Sequence, residues 1–84
     1  MLAYVLVNCN PGSEKDVISK IREISEVSEV NGIMGRYDIF VKVSAKEPQV
    51  IDNTIQKIRS INGITASYSM TVLYGQGGTI DEQE

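Results

Sequence analysis

The chain has 84 residues, enough for one domain around one core, and its 42% apolar and 23% charged content excludes a wholly disordered protein. The formal net charge is −3, and Asp81, Glu82 and Glu84 account for it, leaving eight acidic against eight basic residues in the body, with no basic stripe to follow a phosphate backbone. The single cysteine, Cys9, excludes an internal disulfide, and the absence of histidine removes the commonest general base and metal ligand.

Leu2-Ala3-Tyr4-Val5-Leu6-Val7-Asn8-Cys9 is β-branched and aromatic-rich and closes on the turn signal Asn10-Pro11-Gly12, which predicts a strand. The run is too short and lacks the basic lead of a signal peptide, and no stretch reaches the roughly 20 apolar residues of a bilayer span. A cytoplasmic chain with no membrane partner is expected, with Cys9 a small buried hydrophobe. Ser13 offers an N-cap with Asp16 three residues on, and Glu14 and Asp16 suit the first helical turn. Val17, Ile18, Ile21 and Ile24 then give one apolar face to a helix of about 12 residues.

Val27 to Ile33 alternates weakly and predicts a polar strand. Gly35 bends the chain, and Asp38-Ile39-Phe40-Val41-Lys42-Val43 predicts a second strand pairing with it as an antiparallel hairpin. Pro48 suits the first turn of a second helix with apolar positions Val50, Ile51, Ile55, Ile58 and Ile61. Lys57 and Arg59 complement its C-terminal dipole, and Asn62-Gly63 stops it. Ile64 to Tyr74 is the last expected strand. Residues 1–74 form the expected domain, and 75–84, with Gly75, Gly77, Gly78 and the acidic end, are expected to form a flexible tail.

The order strand, helix, strand, strand, helix, strand predicts an α+β, ferredoxin-like βαββαβ sandwich, with a four-stranded antiparallel sheet and both helices on one face. Such a sheet ordinarily alternates apolar with polar residues. Here Ala3, Val5 and Val7 share their strand with Leu2, Tyr4 and Leu6, while Met70, Val72 and Tyr74 alternate with Thr71 and Leu73. Both faces are apolar, which predicts that a second copy covers the open face in a sheet-on-sheet dimer, the alternative being that the last strand or the tail folds over that face.

Catalytic groups are scarce. Cys9 has no histidine to activate it, and Gly75, Gly77 and Gly78 neither open a helix nor precede a lysine, so they make no phosphate loop. Glu23, Glu26 and Glu29 read as a solvated face. The sheet lacks the aromatic, basic surface of RNA-binding modules of this topology, and the chain has no Cys-x-x-Cys. The expectation is a protein that is not an enzyme and holds no cofactor or metal. Two segments stand out. Gly35 permits a positive φ before Asp38, which opens an apolar strand, and Ser67 and Ser69 put two hydroxyls on one face of the last strand.

Together with Ala3-Tyr4-Val5-Leu6-Val7, these features lie in Val30-Asn31-Gly32-Ile33-Met34-Gly35-Arg36-Tyr37-Asp38-Ile39 and near Lys57-Ile58-Arg59-Ser60-Ile61-Asn62-Gly63-Ile64. From Ala3 to Leu73 the chain resembles the ligand-binding RAM domain (regulation of amino-acid metabolism) of the Lrp/AsnC feast/famine transcription regulators. The resemblance implies an αβ sandwich dimerising through its sheets, dimers that build tetramers or octamers, and a small amino-acid effector held between dimers. The implied ligand-binding residues are Gly35, Tyr37, Asp38, Ser67 and Ser69; the two serines stand where the family usually carries Thr-x-Thr. Nothing precedes the first strand, so a stand-alone form without the helix-turn-helix is expected. Such a form does not contact nucleic acid directly and acts through full-length Lrp/AsnC partners. The rival reading is a structural assembly module with no effector. A ferredoxin-like monooxygenase lacks its usual histidine here, and the amino-acid-binding ACT domain does not predict Gly35-x-Tyr37-Asp38.

Overall fold

In a computed structural model that describes residues 1–73, the elements are β1 (Leu2–Cys9), α1 (Glu14–Arg22), β2 (Val27–Gly32), β3 (Ile39–Ser44), α2 (Pro48–Arg59) and β4 (Ile64–Thr71). The strands form one antiparallel sheet in the order β2-β3-β1-β4, the split βαβ arrangement. Tyr74 and the expected tail at 75–84 lie outside the described residues. No helix among the described residues is long and apolar enough to cross a membrane.

One side of the sheet meets the helices. Ala3, Val5, Val7 and Cys9 of β1 alternate into the core with Ile39, Val41 and Val43 of β3. Val17 and Ile21 of α1, with Ile51, Ile55 and Ile58 of α2, close over them. Thr54 is the one polar residue in this buried set, and its hydroxyl donates to the Val50 carbonyl at 2.7 Å, which satisfies it within its own helix. Cys9 is buried, as its apolar run suggested.

Several boundaries differ from expectation. α1 has 9 residues rather than a dozen, because the chain tightens at its end: the Glu23 N–H donates to the Lys20 carbonyl at 3.2 Å and the Ile24 N–H to the Ile21 carbonyl at 3.0 Å. Ile24 packs on the core from the following turn. Ser13 stands at the N-cap but makes no side-chain cap; its hydroxyl donates to the Asn10 carbonyl at 2.6 Å, bracing the turn instead. β3 begins at Ile39, so Asp38 stands just outside the strand, and β4 stops at Thr71. α2 starts at Pro48 as predicted, and Gly63 at φ 104° turns the chain into β4.

The two βαβ halves echo each other. Ile18-x-Lys20-Ile21-Arg22-x-Ile24-x-x-Val27 recurs as Ile55-x-Lys57-Ile58-Arg59-x-Ile61-x-x-Ile64. In each half the strand after the helix then slips register by one residue. Ser28 is passed over between the Val27–Val43 and Glu29–Lys42 pairs, and Thr65 between the Ile64–Cys9 and Ala66–Asn8 pairs. Each slip lies on an outer strand of the sheet.

The loop between β2 and β3 is tied to the end of β1. The Asp38 N–H donates to the Val7 carbonyl at 2.9 Å, and the Asp38 carboxylate (Oδ2) accepts from the Cys9 N–H at 3.0 Å. Continuing the β1–β3 register past Val7–Ile39 would bring Tyr37 opposite Cys9. The carboxylate thus takes the donor that a backbone carbonyl would otherwise meet.

Two predictions follow from these contacts. Asp38→Ala leaves the part-buried Cys9 N–H without its partner and is expected to lower stability by about 1–3 kcal/mol, whereas Asp38→Asn keeps an acceptor and costs less. Denaturant melts of both variants, with hydrogen exchange at the Cys9 amide, check this; equal stability of Asp38→Ala and wild type contradicts it. A Cβ at Gly63 would sit 3.3 Å from Val17 Cγ2 on a left-handed backbone, so Gly63→Ala is expected to cost about 1–2 kcal/mol by the same measurement.

Candidate functional site

The sequence-derived site residues fall in two places. Gly35, Tyr37 and Asp38 lie in the loop that leaves β2, which the Ile33 N–H closes by donating to the Asp38 carbonyl at 2.9 Å. Gly35 takes φ 151°, a conformation that side-chain-bearing residues rarely adopt, while the space around its missing Cβ is open. Met34 and Arg36 beside it are exposed, and Tyr37 is half-buried. A small molecule can therefore approach the loop backbone closely at Gly35, two residues before Tyr37 and three before Asp38.

The Asp38 carboxylate is only partly committed. One oxygen holds the Cys9 N–H; an ionised carboxylate has further lone pairs to offer an ammonium group. The fold uses the same group both to end β1 and to present negative charge at the sheet's end.

Ser67 and Ser69 lie across β1 from this loop. Ser67 pairs with Val7 and Ser69 with Val5, whose side chains enter the core, so both hydroxyls are on the helix-bearing side. Asp38 precedes β3, which pairs with the other edge of β1. With β1 between them, β3 and β4 are roughly 10 Å apart. Within one chain the loop and the serines thus do not converge on one small ligand, and the fold brings together Gly35, Tyr37 and Asp38 as one group and Ser67 with Ser69 as another.

Ser67 has neighbours that the sequence did not suggest. It lines an open groove of about 300 Å³ with Arg59, Ile64, Thr65 and Ala66. The matching groove of about 350 Å³ in the other half is lined by Arg22, Val27, Ser28, Glu29 and Val30. Each sits where a helix-terminal arginine approaches a slipped outer strand. The repeated Lys-Ile-Arg run carries the signal for this pairing.

The open face of the sheet is the third feature. Tyr4 and Phe40 place their ring centroids 5.5 Å apart, and Leu2 and Leu6 continue the surface along β1. Tyr68 and Met70 extend it over β4, exposed at 55% and 38%. Glu29, Asn31 and Lys42 make its β2 side polar. Apolar surface this continuous is beyond what isolated soluble monomers usually carry.

These features meet known proteins consistently. The sequence model of the Lrp/AsnC ligand binding domain matches residues 2–75. The HTH-type transcriptional regulator FL11 of Pyrococcus horikoshii is 34% identical over 73 residues, covering 87% of this chain and 48% of the regulator. The chain spans about half the length of that relative. A homocitrate synthase of Sulfurisphaera tokodaii is 33% identical over 72 residues, 84% of this chain but 16% of the enzyme. Among solved structures, hypothetical protein PHS023 of Pyrococcus horikoshii has a TM-score of 0.79 at 31% identity, covering 86% of this chain and 89% of that one. A βαββαβ sheet with the Gly35-x-Tyr37-Asp38 loop at its end, matched over nearly its whole length, places this chain in the Lrp/AsnC ligand-binding domain family.

Proposed function

We propose that the chain is a non-enzymatic, cytoplasmic effector-sensing and oligomerisation domain, binding a small amino-acid-like ligand between dimers and modulating transcription through full-length Lrp/AsnC partners. The observation that carries this reading is the loop at the end of β1, which holds both an accessible backbone at Gly35 and, at Asp38, a carboxylate with lone pairs to spare. The Gly35 region meets the ligand carboxylate through main-chain N–H groups, Asp38 receives the α-ammonium, and Tyr37 forms a wall. Ser67 and Ser69 of another copy complete the pocket, since those of the same chain lie across β1. A second copy over the open face forms the dimer, and a ligand shared between dimers favours the assembly that completes its pocket. Similarity to both a transcriptional regulator and a segment of an enzyme supports a sensing module whose output depends on what it joins.

One observation favours the rival reading of an assembly module without effector: Asp38 already has a structural partner in the Cys9 N–H. Titration calorimetry with the twenty amino acids separates the two. The sensor binds at least one of them, and Asp38→Asn, which retains the bond to Cys9 but removes the charge, weakens binding about tenfold or more. No binding by any amino acid, or unchanged affinity in Asp38→Asn, contradicts the assigned site.

A further inference from the structure

The two arginine grooves correspond residue for residue. Aligning the repeats on their Lys-Ile-Arg runs carries Arg22, Val27, Ser28, Glu29 and Val30 onto Arg59, Ile64, Thr65, Ala66 and Ser67, the full lining of each. What both grooves contain belongs to the fold, and what differs does not follow from it. Both keep an arginine at the helix end, an apolar residue packed on the core (Val27, Ile64) and a hydroxyl at the slip (Ser28, Thr65). The helix ends also close alike, the Ile24 N–H donating to the Ile21 carbonyl at 3.0 Å and the Ile61 N–H to the Ile58 carbonyl at 3.1 Å. The unfavourable field of a helix C-terminus on an anion is thus common to the two.

Charge and hydrogen-bonding capacity are what differ. Glu23, Glu26 and Glu29 follow Arg22 where Ser60, Gly63 and Ala66 follow Arg59. From Asn53 to Ile80 the sequence has no acidic residue, and Lys57 and Arg59 lie within that stretch. Apolar Val30 gives way to Ser67. The Ser28 hydroxyl is spent on the Lys42 carbonyl at 3.3 Å. Among the described residues no hydrogen bond engages the Arg59 guanidinium or the Thr65 and Ser67 hydroxyls. The main chain adds a donor. Because the Val72 N–H donates to the Leu2 carbonyl at 2.9 Å, Val72, Met70, Tyr68 and Ala66 turn their N–H groups toward β1, and Ser67 turns its own outward from the outer strand.

We infer that the Arg59 groove binds the phosphoryl group of a small metabolite. The guanidinium fork takes two of its oxygens, and the Thr65 and Ser67 hydroxyls with the Ser67 N–H donate to the remaining lone pairs. A carboxylate has two oxygens, which the fork alone satisfies; a phosphoryl group uses the whole set. The groove of about 300 Å³ leaves room beyond it for a small organic substituent. In a chain of net charge −3 the site depends on this local excess of positive charge, which salt screens. It requires neither Asp38 nor a second copy, and it shares with the proposed amino-acid pocket only Ser67.

Inorganic phosphate titrated into the isotope-labelled chain at fixed ionic strength, followed by backbone amide and arginine Nε–H chemical shifts, reads the site directly. Saturable shifts are expected at Thr65, Ser67 and Arg59, and not at Ser28, Val30 or Arg22. Arg59 is exposed, so its variants keep the fold. Arg59→Gln is expected to weaken phosphate binding about tenfold, and Arg22→Gln to leave it unchanged. Thr65→Val weakens it to a smaller extent, and acetate binds the same residues more weakly than phosphate. Equal shifts at the two grooves, a response that does not saturate, unchanged affinity in Arg59→Gln, or acetate binding as tightly as phosphate overturns the proposal. Asp38→Asn, chosen to weaken amino-acid binding, leaves the phosphate titration unchanged, so the two readings fail separately.

Discussion

The constraint on which the rest of this molecule depends is the apolar character of β1 on both of its sides. Ala3, Val5, Val7 and Cys9 must be covered by helices, and Leu2, Tyr4 and Leu6 on the alternate positions must be covered by something else. A strand with a period of two presents both sets at once, so no rotation of β1 hides them together. The first demand selects the central position of β1 between β3 and β4. Ile39, Val41 and Val43 then fall in line beside it, and α1 and α2 close one side with their isoleucines. The second demand is left open by the chain itself. A domain this small buries too little surface to carry such a patch exposed without association.

The candidate ligand loop inherits its geometry from the same strand. Because β1 runs past the start of β3, its Cys9 N–H needs an acceptor, and Asp38 supplies one from just outside the strand. The loop is thereby held against the sheet at the point where Gly35 bends it. A carboxylate that ends a ladder and faces solvent at once can serve both the fold and a ligand.

Most of the fold was legible because its signals are local. The alternation in β1, Pro48 opening α2, and Gly63 ending the turn after it each specify an element from a few residues. Ile24 misled, since its helical spacing from Ile21 suggested a longer α1; the turn that follows Arg22 is tightened by backbone bonds that no side chain announces. The sequence named candidate residues, but not how the fold would arrange them. That Ser67 and Ser69 share a side follows from their spacing, but which side they share depends on the slip at Thr65 and the pairing with β1. The bond from Cys9 to Asp38 depends on where β3 begins, a matter decided by tertiary pairing. The repeated Lys-Ile-Arg run, present in plain sight, acquires meaning only once Arg22 and Arg59 are seen to flank equivalent slipped strands.

Sedimentation equilibrium of the purified chain at low micromolar concentration, beside a Leu6→Lys variant that places a charge in the middle of the open face, tests the central claim most directly. The account predicts a wild-type mass of at least two chains and a clear loss of mass in the variant, with helix and strand content retained. A wild-type protein that sediments as a single, folded, soluble chain at that concentration would contradict it.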